Sequence, residues 1–255
     1  MRSVIFQPDT TLASYIERYV VHEIPQAYTS YVIPDLSVVM GFQFGGRLSL
    51  VNEETKQLDR LCMTGMSGKY RLFQNSADFG IVLVYFTAAG ASAFLDVPLH
   101  EVFQLSLSIK MLDKRPGPGE TEEKISLATS HEERIRIINR FFLRRLKPHN
   151  HDLLVAHATN VIRQSCGNIR IKTLSEDLCI SQSRLERRFR ASVGCSPKKY
   201  CTIARLRSVM ENVTSVTSLT EVSAQAGYYD QAHFIKDFKS FTGTTPGNYL
   251  RQQIL

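Results

Sequence analysis

The sequence predicts an α+β chain: an N-terminal strand-rich small barrel or sandwich with helices, then a C-terminal all-α domain of tandem helix-turn-helix units. Three observations predict it. Short β-branched and aromatic runs separated by turn residues fill the first part. A register-true repeat with helical periodicity fills the last part. Charge is also divided unevenly: Met1 to Asn150 holds 17 basic against 16 acidic residues, a net of +1, whereas His151 to Leu255 holds 14 against 8, a net of +6. At 255 residues, two domains are expected. The division predicted is one domain over 1–147, a linker over 148–154 and a second domain over 155–255.

The repeat is the strongest signal. Phe189, Gly194, Pro197 and Tyr200 map onto Phe238, Gly243, Pro246 and Tyr249 at an offset of 49 (238 − 189). Leu185 maps onto Phe234, Arg187 onto Lys236 and Ser181 onto Asp230. Asp230 sits where an N-cap belongs, and Phe234, Phe238 and Phe241 then lay one aromatic stripe along a helix. Each unit ends at a Gly able to take positive φ, and Ser196-Pro197 or Thr245-Pro246 starts a new helix. A shorter helix is expected before each unit's second one, over Thr173 to Cys179 and over Ser218 to Ala226. The outer faces are small, polar or basic, a pattern suited to the DNA major groove.

On Leu174-Ser175-Glu176-Asp177-Leu178, Ile180 to Phe189 and Gly227 to Phe234, the chain from about Val155 resembles the DNA-binding domain of AraC/XylS-type transcription regulators. The resemblance covers about two-fifths of the chain. It implies two helix-turn-helix units joined by a long helix, about Pro197 to Asn212, entering successive major-groove segments about 34 Å apart. It implies that Ser183 and Arg187 in the first unit, and Ala232 and Lys236 in the second, face bases, with Gln182, Arg184, Arg190, Gln231, His233 and Lys239 completing the DNA-facing set. Arg187 would lead the readout by a bidentate pair with guanine. Double-stranded DNA is the partner implied, with room for RNA polymerase, a small-molecule effector and a second copy of the chain. Val32-Ile33-Pro34-Asp35 and Phe86 to Glu101 are similar, in shorter motifs, to the amino-terminal sensor module of some of these regulators. The strand region lacks an H-x-H with a following Glu, so no metal is expected there.

Composition narrows the alternatives. The five cysteines, Cys62, Cys166, Cys179, Cys195 and Cys201, show no C-x-x-C, which supports neither a disulfide framework nor a zinc site. Cys179 and Cys195 are expected in the core. No signal peptide or long apolar run appears, so a cytoplasmic, nucleoid-associated protein without a membrane partner is expected. G-x-S-x-G, Walker A, G-x-G-x-x-G and H-E-x-x-H are all missing, so no enzyme and no cofactor is expected. The alternatives are a DNA-repair protein with a reactive Cys domain on the same DNA-binding unit, or a scaffold whose repeat binds protein. Cys62 has no basic or His neighbour, against the first.

Taken in order, Thr10 to Val20 reads as a short helix through Leu12, Ile16 and Tyr19. Strands follow over Tyr31 to Ile33, Ser37 to Phe44, Arg47 to Val51, Leu61 to Thr64, Tyr70 to Phe73 and Phe79 to Thr87. Asp96 with Pro98 should cap a helix bearing Leu99, Val102, Phe103 and Leu107. Ser130 to Glu133 is a capping box opening a helix from His131 to Leu146. Its Arg134, Arg136, Arg140, Arg144 and Arg145 should form a solvated face. Lys147 to Asp152, with His149 and His151, reads as a solvated hinge.

Overall fold

The computed structural model describes residues 2–51, 54–212, 223, 227–228 and 230–253. Among the described residues, ten strands form two antiparallel sheets. The larger has the order β1 (Arg2–Phe6), β2 (Ile16–Ile24), β9 (Phe79–Phe86), β4 (Val39–Gly45), β7 (Leu61–Thr64) and β10 (Ser106–Ser108). The smaller has the order β3 (Tyr28–Val32), β8 (Arg71–Asn75), β5 (Leu48–Val51) and β6 (Thr55–Gln57).

The central strand β9 is apolar at nearly every position because both its faces are covered. Val82, Val84 and Phe86 are fully buried. They face helices, and Phe86 meets Phe142 edge-on at 5.5 Å. Ile81, Leu83 and Tyr85 point the other way, into a cavity between the two sheets. The partner strand β4 repeats the alternation: Phe42 lies against Phe141 and Phe142, while Gly41 and Gln43 line the cavity. The helices under the large sheet are α1 (Ile109–Leu112), α2 (Pro118–Leu127) and α3 (His131–Leu143).

Several expectations for this half are corrected. Thr10 to Val20 is not a helix: residues 10–15 form a turn held by Asp9, and β2 begins at Ile16. Leu12, Ile16 and Tyr19 are fully buried as the periodicity required, but β-branched Val20 and Val21 go into the sheet opposite Leu83 and Val82. The Asp96 helix shrinks to a 3-10 turn, Leu99–Val102, capped by Pro98 rather than Asp96, which pairs with Lys147. Gln104 then takes φ 61, and Leu107 joins the sheet opposite Met63. At α3, Ser130 Oγ accepts from Glu133 N at 3.1 Å, but Glu133 reaches back to Thr129 N rather than Ser130 N. Helix α3 stops at Leu143, and Arg145 leaves the solvated face. It is 5% exposed, donates to Asp113 at 2.7 Å and covers the Phe141 ring at 3.8 Å.

The segment Lys147 to Asp152 keeps Pro148 and His149 exposed, as expected, but is anchored on either side of them. Lys147 N donates to Ala93 O, Ser92 Oγ donates to Asn150 O, and His151 lies edge-on to Tyr15 at 5.0 Å. The helical half follows as α4 (Leu153–Gln164), α5 (Ile171–Asp177), α6 (Gln182–Val193), α7 (Pro197–Asn212), α8 (Gln231–Thr242) and α9 (Pro246–Gln253). The expected helix over Ser218 to Ala226 lies outside the described residues, apart from Ser223. One apolar core runs through both halves, from Leu12 to Phe241. Gly194 lies against the Leu99 backbone so closely that an added Cβ would sit 2.9 Å from its carbonyl oxygen.

Candidate nucleic-acid interface

The repeat seen in the sequence becomes two helices of equal length and equal capping. Helix α6 and helix α8 start 49 residues apart (231 − 182) and end 49 apart (242 − 193). The Ser181 hydroxyl accepts from Arg184 N at 3.2 Å, and the Asp230 carboxylate accepts from His233 N at 2.7 Å. Each satisfies an amide that the first helical turn leaves without a partner. Gly194 (φ 100) and Gly243 (φ 84) close the two helices in the left-handed conformation that glycine adopts without strain. Pro197 and Pro246 then start α7 and α9.

Burial divides both helices along the predicted line. Leu185 and Phe189 in α6, and Phe234 in α8, are fully buried; Phe238 is 3% exposed. Phe189 meets Tyr200 edge-on at 5.4 Å, and Phe238 meets Tyr249 at 5.5 Å, the same contact in each unit. Gln182, Ser183, Arg184, Arg187 and Arg190 are exposed on α6, as are Gln231, Ala232, His233, Lys236 and Lys239 on α8. Arg190 is held by Glu186 at 2.8 Å, and His233 lies 3.6 Å from Asp237. Among the described residues, no ion pair engages Arg184, Arg187, Lys236 or Lys239. Four cations without an internal counter-charge, held on faces whose opposite sides are locked in a core, form a surface suited to polyanion.

Two residues that hold this surface in place escaped the sequence reading. Asp152 caps α4 by accepting from Val155 N at 3.0 Å, and it takes a bidentate pair from Arg188, at 2.7 and 2.6 Å. Burial alone would raise the Asp152 carboxyl, yet the Arg188 hydrogen bonds and the α4 amides hold it below the usual carboxylate range. An Asp just before Leu153-Leu154-Val155 was an N-cap signal, obscured by reading the stretch as a hinge. Arg207 on α7 pairs with Asp35 at 3.2 Å and donates to Pro34 O, and Tyr200 Oη donates to Leu36 O at 3.5 Å. No local signal foretold that contact, because its partners lie more than 160 residues apart.

The cysteines bear on the alternatives. Cys195 is buried as expected, whereas Cys179 is exposed, at φ 53 in the turn between α5 and α6. Burial pushes the Cys62 thiol up to about 12, which leaves it protonated and inert. Among the described residues, no group of His, Cys, Asp or Glu is arranged to hold a metal, and no helix is long and apolar enough to cross a membrane.

A strand-rich module joined to a repeated helical unit defines the class. Residues 174–252 match a family described as a helix-turn-helix domain, and residues 4–108 match one described as a domain of unknown function (DUF6597). The chain is 29% identical over 86 residues to the lactose operon transcription activator of Staphylococcus xylosus, covering 33% of this chain and 31% of that protein. It is 26% identical over 125 residues to the arabinose operon regulatory protein of Escherichia coli, covering 45% and 42%. Among solved structures, ToxT from Vibrio cholerae is similar, at a TM-score of 0.48 and 13% identity over 91% of this chain and 97% of that one. The chain spans less than half the length of these curated relatives. Over residues 174–252, then, the chain is similar to the helix-turn-helix part of AraC/XylS-type transcription regulators.

Proposed function

We propose that the protein is a sequence-specific transcription regulator that binds double-stranded DNA and responds to an effector. The observation behind this reading is the pair of equally capped helices 49 residues apart, each with an aromatic face in the core and unpaired cations outside. In this reading α6 and α8 enter successive major-groove segments, with α7 as the spacer. Ser183, Arg187, Ala232 and Lys236 face bases. Gln182, Arg184, Arg190, Gln231, His233 and Lys239 flank them, toward phosphates. The domain over 1–147 would receive a small molecule, and a second copy of the chain and RNA polymerase would be the protein partners on DNA. The working place of such a protein is the cytoplasm, on the nucleoid. The protonated thiol of buried Cys62 weighs against the repair reading, and we read the protein as a binder rather than an enzyme.

The test begins with selection of preferred duplexes from a random pool by the full chain. Arg187→Ala is then expected to weaken the selected site by about 1–3 kcal/mol and to relax preference at one base pair. Equal weakening on all sequences would assign Arg187 to phosphate contact. Selection of no duplex, or affinity unchanged as salt rises, would favour the scaffold reading instead.

A further inference from the structure

The cavity between the two sheets measures about 330 Å³, within the range of small-molecule sites. Its walls are mainly apolar: Ile24, Leu48, Phe73, Phe79, Ile81 and Leu83. An annex of about 60 Å³ continues it, sharing Val32, Ile33, Asp35, Val39, Thr64 and Phe73. Most polar side chains in the wall are already engaged. Gln43 donates to Asp59 O and accepts from Leu48 N, Thr64 bonds Ser106, and Ser30 donates to Phe73 O.

Two buried polar atoms of the wall have no partner, and both belong to β8. Alternate residues of a strand share a face, so Arg71, Phe73 and Asn75 all point inward. Asn75, 2% exposed, donates from Nδ2 to Gln26 O at 3.0 Å and Ser76 O at 2.7 Å, which leaves its buried Oδ1 without a donor. Arg71 donates from Nη1 to Gly65 O at 3.0 Å, while its buried Nη2 has no partner. No ion pair among the described residues compensates the guanidinium. The neighbouring Cys62 thiol, protonated, supplies no negative charge. Burial lowers Arg71 only to about 10, so it stays a cation at neutral pH. A half-buried cation with a buried, unpartnered nitrogen and a buried acceptor without a donor are both costly, and a ligand that supplies the complements offsets both costs.

We propose that this cavity binds an elongated organic monoanion whose carboxylate pairs with Arg71 in the annex, whose apolar middle lies along Phe73, and whose far end donates a hydroxyl or N–H to Asn75 Oδ1. Four residues of strand span roughly 13 Å, part of it filled by the Arg71 side chain, so a ligand of about a dozen heavy atoms bridges the rest. Asp35, the acidic group in the wall, is neutralised by Arg207. Sugars fit poorly, because an apolar wall leaves most of their hydroxyls unpaired. The ligand class deepens the regulator reading and rests on it only for what binding controls. Ile33, Pro34 and Asp35 line this space, and Pro34, Asp35 and the adjoining Leu36 are gripped by Arg207 and Tyr200 of α7, which gives occupancy a route to the helical half.

The test is calorimetric titration of the full chain, without DNA, with 3-(4-hydroxyphenyl)propionate. Two analogues accompany it: 3-phenylpropionate, which lacks the donor, and 4-(3-hydroxypropyl)phenol, which lacks the charge. Each loss is expected to weaken binding about ten- to a hundredfold. Arg71→Gln should retain the melting temperature and bring the acid and its alcohol analogue to equal affinity. The proposal is overturned if the alcohol binds wild type as tightly as the acid, if Arg71→Gln leaves acid affinity unchanged, if arabinose outbinds all three, or if no probe binds at millimolar concentration. Because the assay holds no DNA, probe binding without duplex selection would sink the regulator reading alone, and the reverse would sink this one alone.

Discussion

Asp152 offers the sharpest test of how helix α6 is held. The residue does two jobs: it caps α4 and takes a bidentate pair from Arg188, the neighbour of Arg187. A lost cap costs about 1 kcal/mol. A pair whose side chains are 14% and 31% exposed lies between the buried and surface limits, so about 1–2 kcal/mol is assigned to it. Asp152→Ala should therefore destabilise by about 2–3 kcal/mol, lowering the melting temperature by about 5–10 °C. Asp152→Asn keeps a good cap and loses the charge, so it should cost only about 1–2 kcal/mol. Thermal melts followed by far-ultraviolet circular dichroism, in a double-mutant cycle with Arg188→Ala, separate the two terms. The carboxyl is depressed in the folded state, so its contribution is complete above the unfolded value near 3.9 and fades as pH falls through the lower folded value. Asp152→Ala should accordingly flatten the acid limb of stability. Equal melting of the Asn and Ala variants would refute the cap's role, and a coupling energy of zero would refute the pair's.

Two further outcomes are expected. Phe238→Ala should cost about 3–5 kcal/mol by leaving a hole among Phe234, Tyr249 and the helix backbone, and an unchanged melting curve would contradict that packing. In the native protein, a thiol reagent should modify exposed Cys166 and Cys179 quickly, while buried Cys62, Cys195 and Cys201 react only on unfolding. Rapid labelling of Cys62, read by peptide mass, would reopen the repair alternative.

What the sequence made legible was whatever is written locally. The paired caps at Ser181 and Asp230, the left-handed glycines at 194 and 243, and the bounds of α7 depend on residues a few positions apart, and all stand where expected. The exposed cations follow from the same periodicity. Contacts made across the chain were not legible. Leu107 has a helical spacing from Leu99 and Phe103, yet it is claimed by Met63 in the sheet. Arg145 continues an arginine-rich face, yet Asp113, thirty-two residues earlier, draws it inside. The short edge strands β1 and β6 lack the apolar alternation that would reveal them, since an edge in water needs no buried face.

The uninterrupted core joining the two halves has a mechanical consequence. A reader hung on a loose tether could swing freely and signal by changing its reach. Here Gly194 against Leu99, and Tyr200 against Leu36, leave no slack to pull through. Either half produced alone would present a raw apolar flank to water.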